Sequence, residues 1–175
     1  MIFAPYAWDP PTHLLSLSIN ETVAFHLCID PHDYENSLFN LWNIKDNLIV
    51  VEHDIEPTQS NIESLLSCPS QLCAFAYLVY PVSSGLQTPV IPHSHRKDGK
   101  SIFLTEGETE ADYAALGLIK FGQYVRKAVK RSDLFHDEWS SWRNLDTRLS
   151  QAFNDKGLRF HIHWPLVQHN HKENR

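Results

Sequence analysis

Short apolar runs alternate with turn residues along the first part of the chain. Ile2 to Tyr6 is an apolar run followed by Pro10-Pro11, and Thr22 to Ile29 is rich in β-branched and aromatic residues. Both runs predict strands. From Asp33 to Ile44, apolar residues recur at positions 34, 38, 41 and 42, which is the spacing of one helix face. The chain is therefore predicted to begin strand, strand, helix.

The clearest strand signal is the continuous β-branched run from Leu48 to Val51, which is typical of a strand buried on both faces of a parallel sheet. It ends abruptly in the acidic stretch from Glu52 to Pro57. Thr58 or Ser60 can cap a helix that follows, and the residues from Cys73 to Val79 predict another strand. Acidic side chains thus lie where a buried strand ends.

The second half of the chain begins with a segment from Pro81 to Gly107 that is rich in Pro, Ser, Gly, His and charge. We predict a mobile loop over residues 81–107, in which only Ser101 to Leu104 resembles a strand. The remaining predicted elements are a helix or strand–helix pair from Ala114 to Val129, an amphipathic helix from Trp139 to Phe153 ending near Gly157, and a strand from Leu158 to Trp164.

This order of elements favours an α/β fold, with a mixed, mainly parallel sheet flanked by helices. With 175 residues, of which 42% are hydrophobic, the chain is long enough for one buried core and short for two. We therefore predict a single domain over residues 1–175, with 170–175 as a C-terminal tail.

Composition and charge argue against several classes of function. The formal net charge is -6, and no long block of Lys and Arg offers a footprint for nucleic acid. No apolar run approaches the ~20 residues of a transmembrane segment, and Met1 to Pro5 lacks the features of a secretion signal, so we predict a cytoplasmic protein. The three cysteines are an odd number without C-x-x-C spacing, which favours buried thiols.

The acids after the buried strand are the first candidates for chemistry, because ligands of open α/β sheets bind beyond the carboxyl ends of the strands. If the chain stays extended, Glu52 and Asp54 project to the same side and could share a hard cation. The alternative is a solvated turn in which Asp54 caps the residues that follow.

Histidines are the second candidates, since the chain has 11 and several crowd its C-terminal part. His161 and His163 share one face of the predicted last strand. With His169 they would suit zinc, whereas imidazole with carboxylate and diphosphate oxygens suits Mn²⁺ or Mg²⁺. The alternative is a half-exposed surface strand. A P-loop, a dinucleotide-binding motif and a nucleophile elbow are missing from the sequence.

Several segments together resemble small glycosyltransferase-like proteins of the GT-A fold (Rossmann-like), found among phages and bacteria. The similarity begins with the stretch from Leu48 to Pro57. The later matching pieces, in chain order, are Leu65, Cys68-Pro69, Cys73 to Phe75, Leu116 to Phe121, Trp142 to Asp146, Gly157, His161 to Pro165, Val167 and His169.

The resemblance implies that Glu52-His53-Asp54 is a DxD-like element binding Mn²⁺ or Mg²⁺ and the diphosphate of a UDP- or GDP-sugar. Asp54 would ligate the metal, and Glu52 would contact the sugar nucleotide or the metal shell. His163, or else His161, would complete that shell.

The resemblance also suggests the base that accepts the acceptor's proton in an inverting transfer. Asp146 is the first candidate, followed by Asp137 and Glu138. Pro5 and Tyr6, at the end of the first strand, are assigned to the donor site.

The function that follows is metal-dependent transfer of a sugar from a nucleotide-sugar to an unknown acceptor, either a glycan, a protein or a small molecule. One alternative is a zinc-dependent hydrolase that uses His161, His163, His169 and Asp54. The other is a non-catalytic sugar-binding module with a degenerate transferase fold. The tryptophans Trp139, Trp142 and Trp164 either form a platform for a sugar ring or fill the core.

Overall fold

The computed structural model describes residues 1–79, 89–98, 100–134 and 142–170, without the side chains of 142–144. The strands are β1 (Ile2–Tyr6), β2 (Val23–Leu27), β3 (Leu48–Val51), β4 (Ile55–Glu56), β5 (Leu72–Tyr77), β6 (Ser94–Lys97), β7 (Lys100–Phe103), β8 (Glu110–Ala111), β9 (Leu118–Phe121) and β10 (Phe160–His169). The helices are α1 (Pro31–Asn40), α2 (Gln59–Ser67), α3 (Gln123–Ala128) and α4 (Trp142–Asp155).

One sheet organises the chain, with the strand order β2-β1-β3-β9-β5-β10-β4 and β8 paired to β10. The strands β1, β2, β3, β5 and β10 run in one direction. β9 lies antiparallel between β3 and β5, while β4 and β8 run antiparallel to β10. The prediction of a mixed α/β sheet flanked by helices is confirmed.

The sheet is buried on both faces, which explains the uninterrupted apolar run of β3. Leu48 and Val50 face a core built with α1, α3 and α4, whereas Ile49 and Val51 face a second core built with α2. All four side chains are fully buried. Because one strand serves both cores, its sequence cannot alternate between apolar and polar residues.

Local capping sets the helix ends. α1 begins at Pro31, two residues before its predicted start, because the Asp30 side chain accepts a hydrogen bond from the Asp33 N–H at 2.7 Å. Thr58 caps α2 as predicted, in a reciprocal capping box with Asn61. In the described ranges, no helix is both long enough and apolar enough to cross a membrane.

The second half departs from its prediction mainly in the segment 81–107. This segment contains the hairpin of β6 and β7, and β6 was missed because Ser94 to Lys97 is wholly polar. Residues 80–88 and 99 lie outside the described residues. Of the two predictions for Ala114 to Val129, the strand–helix pair is confirmed by β9 and α3.

His93 connects β5 to the segment that leads into β9. It is fully buried; its Nε2 lies 2.9 Å from the Phe75 carbonyl oxygen, and its Nδ1 accepts from the Ala115 N–H at 3.2 Å. Both bonds are satisfied by the neutral tautomer that carries its proton on Nε2. Burial lowers the pKa of His93 to about 4, although the bond to Phe75 acts in the opposite direction.

Neutral His93 should therefore make stability depend on pH. The pKa of His93 is lowered from 6.5 to about 4 in the folded state, so the unfolded state binds a proton first as the pH falls. The stability that neutral His93 provides is therefore complete above about pH 6.5 and is lost as the pH falls toward 4. Between pH 7 and pH 4.5, the native protein should lose about 2–3 kcal/mol more unfolding free energy than His93→Gln. Urea unfolding of both proteins at each pH measures the difference, and equal losses would contradict the prediction.

Candidate functional site

A cleft of about 620 Å³ opens at the carboxyl ends of β1, β3 and β5, where ligands of open α/β sheets bind. We call it the carboxyl-edge cleft. Its lining residues are Pro5, Tyr6, Ala7, Trp8, Cys28, Ile29, Tyr34, Glu52, His53, Asp54, Tyr77, Ala115, Leu116 and Asp146. The structure thus gathers all the residues predicted for donor binding, together with the first candidate base.

The residues after β3 form the turn that was the alternative to an extended chain. The Ile55 N–H donates to the Glu52 carbonyl oxygen at 3.1 Å. The Glu52 side chain accepts a hydrogen bond from the Tyr34 hydroxyl at 3.0 Å. Burial raises the pKa of Glu52 to about 8, and the nearby carboxylates of Asp54 and Asp146 raise it further. Glu52 is therefore mainly protonated at pH 7 when no cation is bound.

Asp54 pairs with His169 because β10 continues past a register shift and pairs with β4, where His169 lies opposite Ile55. His169 Nε2 is 3.0 Å from Asp54 Oδ2, and His169 Nδ1 is 2.9 Å from the Leu78 carbonyl oxygen. Burial alone would raise the pKa of Asp54 and lower that of His169. Their mutual bond outweighs burial in both groups, so the pKa of Asp54 is lowered and that of His169 is raised.

Asp146 enters the carboxyl-edge cleft from α4. Its Oδ1 accepts a hydrogen bond from the Thr147 N–H at 2.8 Å. Burial raises the pKa of Asp146 to about 6, although a hydrogen bond with Tyr113 acts in the opposite direction. Asp146 is therefore a carboxylate at neutral pH, with a basicity above the ordinary range for aspartate.

A buried ion pair joins the helices that carry these groups. Glu35, next to Tyr34 on α1, accepts from Arg148 on α4 at 2.6 Å and from Arg131 at 2.9 Å. The side chains of Glu35 and Arg148 are each only 3% exposed. Burial alone would raise the pKa of Glu35, but the two arginines outweigh it and lower this pKa. The pair fixes α1 against α4, and thereby Tyr34 against Asp146.

Trp8 is the aromatic residue at the mouth of the cleft. It is 72% exposed, and its ring lies edge-on to His53 at a centroid distance of 5.8 Å. Sequence reasoning missed it, although a lone Trp beside Asp9-Pro10-Pro11, in a turn rather than an apolar run, was an available signal. Trp164 packs against the core and donates to the Glu108 carbonyl oxygen at 3.0 Å.

Asp137, Glu138 and Trp139 lie outside the described residues, as does the side chain of Trp142. Their assignments remain predictions.

The histidines predicted to complete the metal shell, His163 and His161, do not line the cleft, and neither does His169. His163 instead has a ring nitrogen within 4.8 Å of the sulfurs of Cys68 and Cys73. The assignment of His163 and His161 beside Asp54 is therefore corrected: the histidine against Asp54 is His169. Glu52 accepts the Tyr34 hydrogen bond with one carboxyl oxygen, Oε1, and its role in the metal shell stays a prediction.

The Asp54–His169 pair has the geometry of two neighbouring ligands of one cation. Two ligand atoms at about 2.1 Å from an ion and at right angles to it are about 3.0 Å apart, which is the observed Oδ2–Nε2 distance of 3.0 Å. The bond from Nδ1 to Leu78 orients the ring, in the manner of the outer partner of a metal-bound histidine. The same distance is that of an ordinary N–H···O hydrogen bond, so a divalent cation held by the pair would have to displace the Nε2 proton.

No family model and no curated protein sequence matches this chain. Among solved structures, the chain is similar to the crystal structure of A197 from STIV, with a TM-score of 0.54 and 14% sequence identity. The alignment covers 97% of this chain and 94% of that chain. At this identity the similarity shows a shared fold across nearly the whole of both chains, and the fold alone.

Proposed function

We propose that the protein is a metal-dependent glycosyltransferase with a GT-A-like fold, and that the carboxyl-edge cleft binds its nucleotide-sugar donor. The observation that carries the proposal is that Asp54 and Asp146 line one cleft, and that Asp54 is hydrogen-bonded to His169, which does not itself line the cleft. A pair of side chains able to hold a cation and a carboxylate of raised basicity are the two features that an inverting, metal-dependent glycosyl transfer from a diphosphate uses.

The cleft has the parts that a nucleotide-sugar needs. The exposed ring of Trp8 offers a face on which a nucleobase or a sugar can stack. Pro5 and Tyr6 line the cleft near the end of the first strand, as predicted for donor contacts. Protonated Glu52 can donate a hydrogen bond to a sugar hydroxyl or phosphate oxygen without adding negative charge near the diphosphate.

Asp54 and His169 would hold the divalent cation. The ion neutralises a diphosphate and stabilises it as a leaving group when bound. Two protein ligands suffice for Mg²⁺ or Mn²⁺, because such ions commonly complete their octahedral shells with water and substrate phosphates.

Asp146 would supply the base. In this reaction the acceptor oxygen forms a bond to the anomeric carbon, and the bond from that carbon to the diphosphate breaks with its electron pair. The acceptor hydroxyl gives its proton to Asp146. A pKa of about 6 keeps Asp146 unprotonated at neutral pH while bringing its basicity closer to the working pH.

The zinc hydrolase receives no geometric support. Its four residues divide between two places, since His169 contacts Asp54 whereas His163 faces cysteine sulfurs. In the described part of the chain, the one group of three or more His, Cys, Asp or Glu with ligand atoms within 4.8 Å is Cys68, Cys73 and His163.

Calorimetric titration with UDP and GDP, with and without Mn²⁺, tests the donor site. We expect one nucleotide to bind only with Mn²⁺, since the cation bridges the diphosphate to Asp54 and His169. Asp54→Asn and His169→Gln should each weaken this binding by roughly 100-fold or more, because loss of even an outer partner of a metal ligand costs 10–100-fold.

Asp155→Asn is the matched control, since Asp155 is an exposed aspartate near the end of α4 and does not line the cleft. Its nucleotide affinity should equal that of the native protein. Absence of nucleotide binding with every metal would overturn the transferase proposal. Sugar binding that is unaffected by chelator and by Asp54→Asn would identify a non-catalytic binding module instead.

A further inference from the structure

A second group of metal-ligating side chains lies on the α2 face of the sheet, outside the carboxyl-edge cleft. Cys68 follows the last residue of α2, Cys73 lies in β5, and His163 lies in β10. β5 and β10 are hydrogen-bonded neighbours, with His163 opposite Phe75. One ligand atom from each of the three residues lies within 4.8 Å of the other two.

We propose that Cys68, Cys73 and His163 form a site for Zn²⁺. Two sulfurs and one imidazole are the ligands that Zn²⁺ prefers, whereas Mg²⁺ and Mn²⁺ prefer oxygen. Three protein ligands leave the fourth tetrahedral position for a water molecule. This inference does not depend on the proposed transferase function, because no residue of the group lines the carboxyl-edge cleft.

Small movements complete the geometry. Zinc–ligand bonds of 2.0–2.3 Å in a tetrahedron place ligand atoms about 3.4–3.8 Å apart. The observed limit of 4.8 Å therefore requires a contraction of at most about 1.0–1.4 Å. Cys73 and His163 lie on paired strands, which are firmly placed, whereas Cys68 is half-exposed at a helix end and can rotate its side chain.

The environment of His163 supports a ligand role. Its Nε2 is buried and has no hydrogen-bond partner among the described residues. A buried polar atom without a partner costs free energy, and coordination through that atom would remove the cost. The ring stacks on Phe75 at a centroid distance of 5.0 Å, which limits its rotation.

The nearby charges are compatible with Zn²⁺. Lys120 is fully buried, and its Nζ donates to the Cys68 carbonyl oxygen at 2.6 Å and interacts with Cys73. Binding of Zn²⁺ adds two positive charges, and the two thiols release two protons as they become thiolates. The net charge beside Lys120 is therefore unchanged. The ring of His161 lies 4.9 Å from that of His163, centroid to centroid.

Cobalt titration of reduced, chelator-treated protein tests the site, since Co²⁺ bound to thiolate gives a sulfur-to-metal charge-transfer band in the near ultraviolet. We expect one Co²⁺ per chain with this band, and its displacement by Zn²⁺. Cys68→Ser and His163→Gln should each lose the band or weaken Co²⁺ binding by roughly 100-fold or more. Cys73 is fully buried, so its replacement can impair folding. The test therefore relies on the variants at the half-exposed residues Cys68 and His163.

Cys28→Ser is the matched control, because Cys28 is a buried cysteine outside the group, and it should retain the band. Asp54→Asn should also retain it, which separates this site from a cation in the cleft. A band unchanged in Cys68→Ser would overturn the proposal. Reduced native protein that binds no Co²⁺ would also overturn the proposal. This holds even if mass spectrometry finds a Cys68–Cys73 disulfide before reduction.

Discussion

The Asp146→Asn variant is expected to bind the nucleotide with nearly native affinity and to turn over its donor about 10²–10⁴-fold more slowly. The amide keeps the shape of the side chain but cannot accept the proton of the attacking hydroxyl. Before an acceptor is known, hydrolysis of a nucleotide-sugar measures turnover, because water then takes the place of the acceptor. Calorimetry measures affinity separately.

The pH profile distinguishes a base from a residue that only shapes the cleft. Asp146 must be unprotonated to act, so kcat/KM of the native protein should rise with pH up to about 6, the pKa of this group, and then level off. The residual activity of Asp146→Asn should not show this rise with pH. Asp155→Asn should keep both rate and profile. Native turnover in Asp146→Asn would remove Asp146 as the base.

The Glu35→Ala variant is expected to lower the free energy of unfolding by about 3–5 kcal/mol. The substitution leaves the guanidinium of Arg148 buried without its counter-ion. Two of the Arg148 nitrogens, Nε and Nη1, already lack hydrogen-bond partners within the described residues, so its interaction with Glu35 carries most of the compensation. Urea denaturation of the native and variant proteins measures the loss.

Two further variants identify the buried charge as the cause. Glu35→Ala combined with Arg148→Met should recover much of the stability, because neither charge then remains buried. Glu63→Ala removes an exposed glutamate of α2 and should change stability by less than about 0.5 kcal/mol. A loss below about 1 kcal/mol in Glu35→Ala would show that the pair contributes little to holding α1 against α4.

The sequence predicted the parts of the fold that depend on local signals. The all-apolar run of β3 indicated a strand with two buried faces, which is confirmed. Thr58 or Ser60 was predicted to cap α2, and the structure shows that Thr58 does so. The hairpin strand β6 was not predictable from its polar sequence, since it pairs with β7 rather than packing into the core.

The candidate site was predictable only in part, for a geometric reason. Glu52 and Asp54 follow a buried strand, so their location at the carboxyl edge could be inferred from the neighbouring sequence. The partner of Asp54 depends on which residue of β10 lies opposite β4, and a register shift after His163 determines this. The family resemblance pointed to His163 or else His161 as the histidine beside Asp54, whereas His169 is the histidine that contacts Asp54.

The cysteine group shows the same limit. Cys68 and Cys73 lack a spacing typical of metal sites, and their third partner, His163, lies far away in the sequence. The pairing of β5 with β10 brings Cys73 and His163 together, and Cys68 joins them from the end of α2. Tyr34 and Glu35 were likewise hidden, because an amphipathic pattern does not reveal which polar neighbour a helix residue will contact.

The strand β10 follows every other described element in chain order, yet it lies between β5 and β4 in the sheet. It supplies His169 to Asp54 and His163 to the cysteines. During synthesis, a ribosome-bound chain that has not yet released this strand holds only Asp54 from the first pair and only Cys68 and Cys73 from the second group. Neither group is assembled before β10 has been translated and inserted between β5 and β4, so a cation that needs all members of either group would bind only after that step.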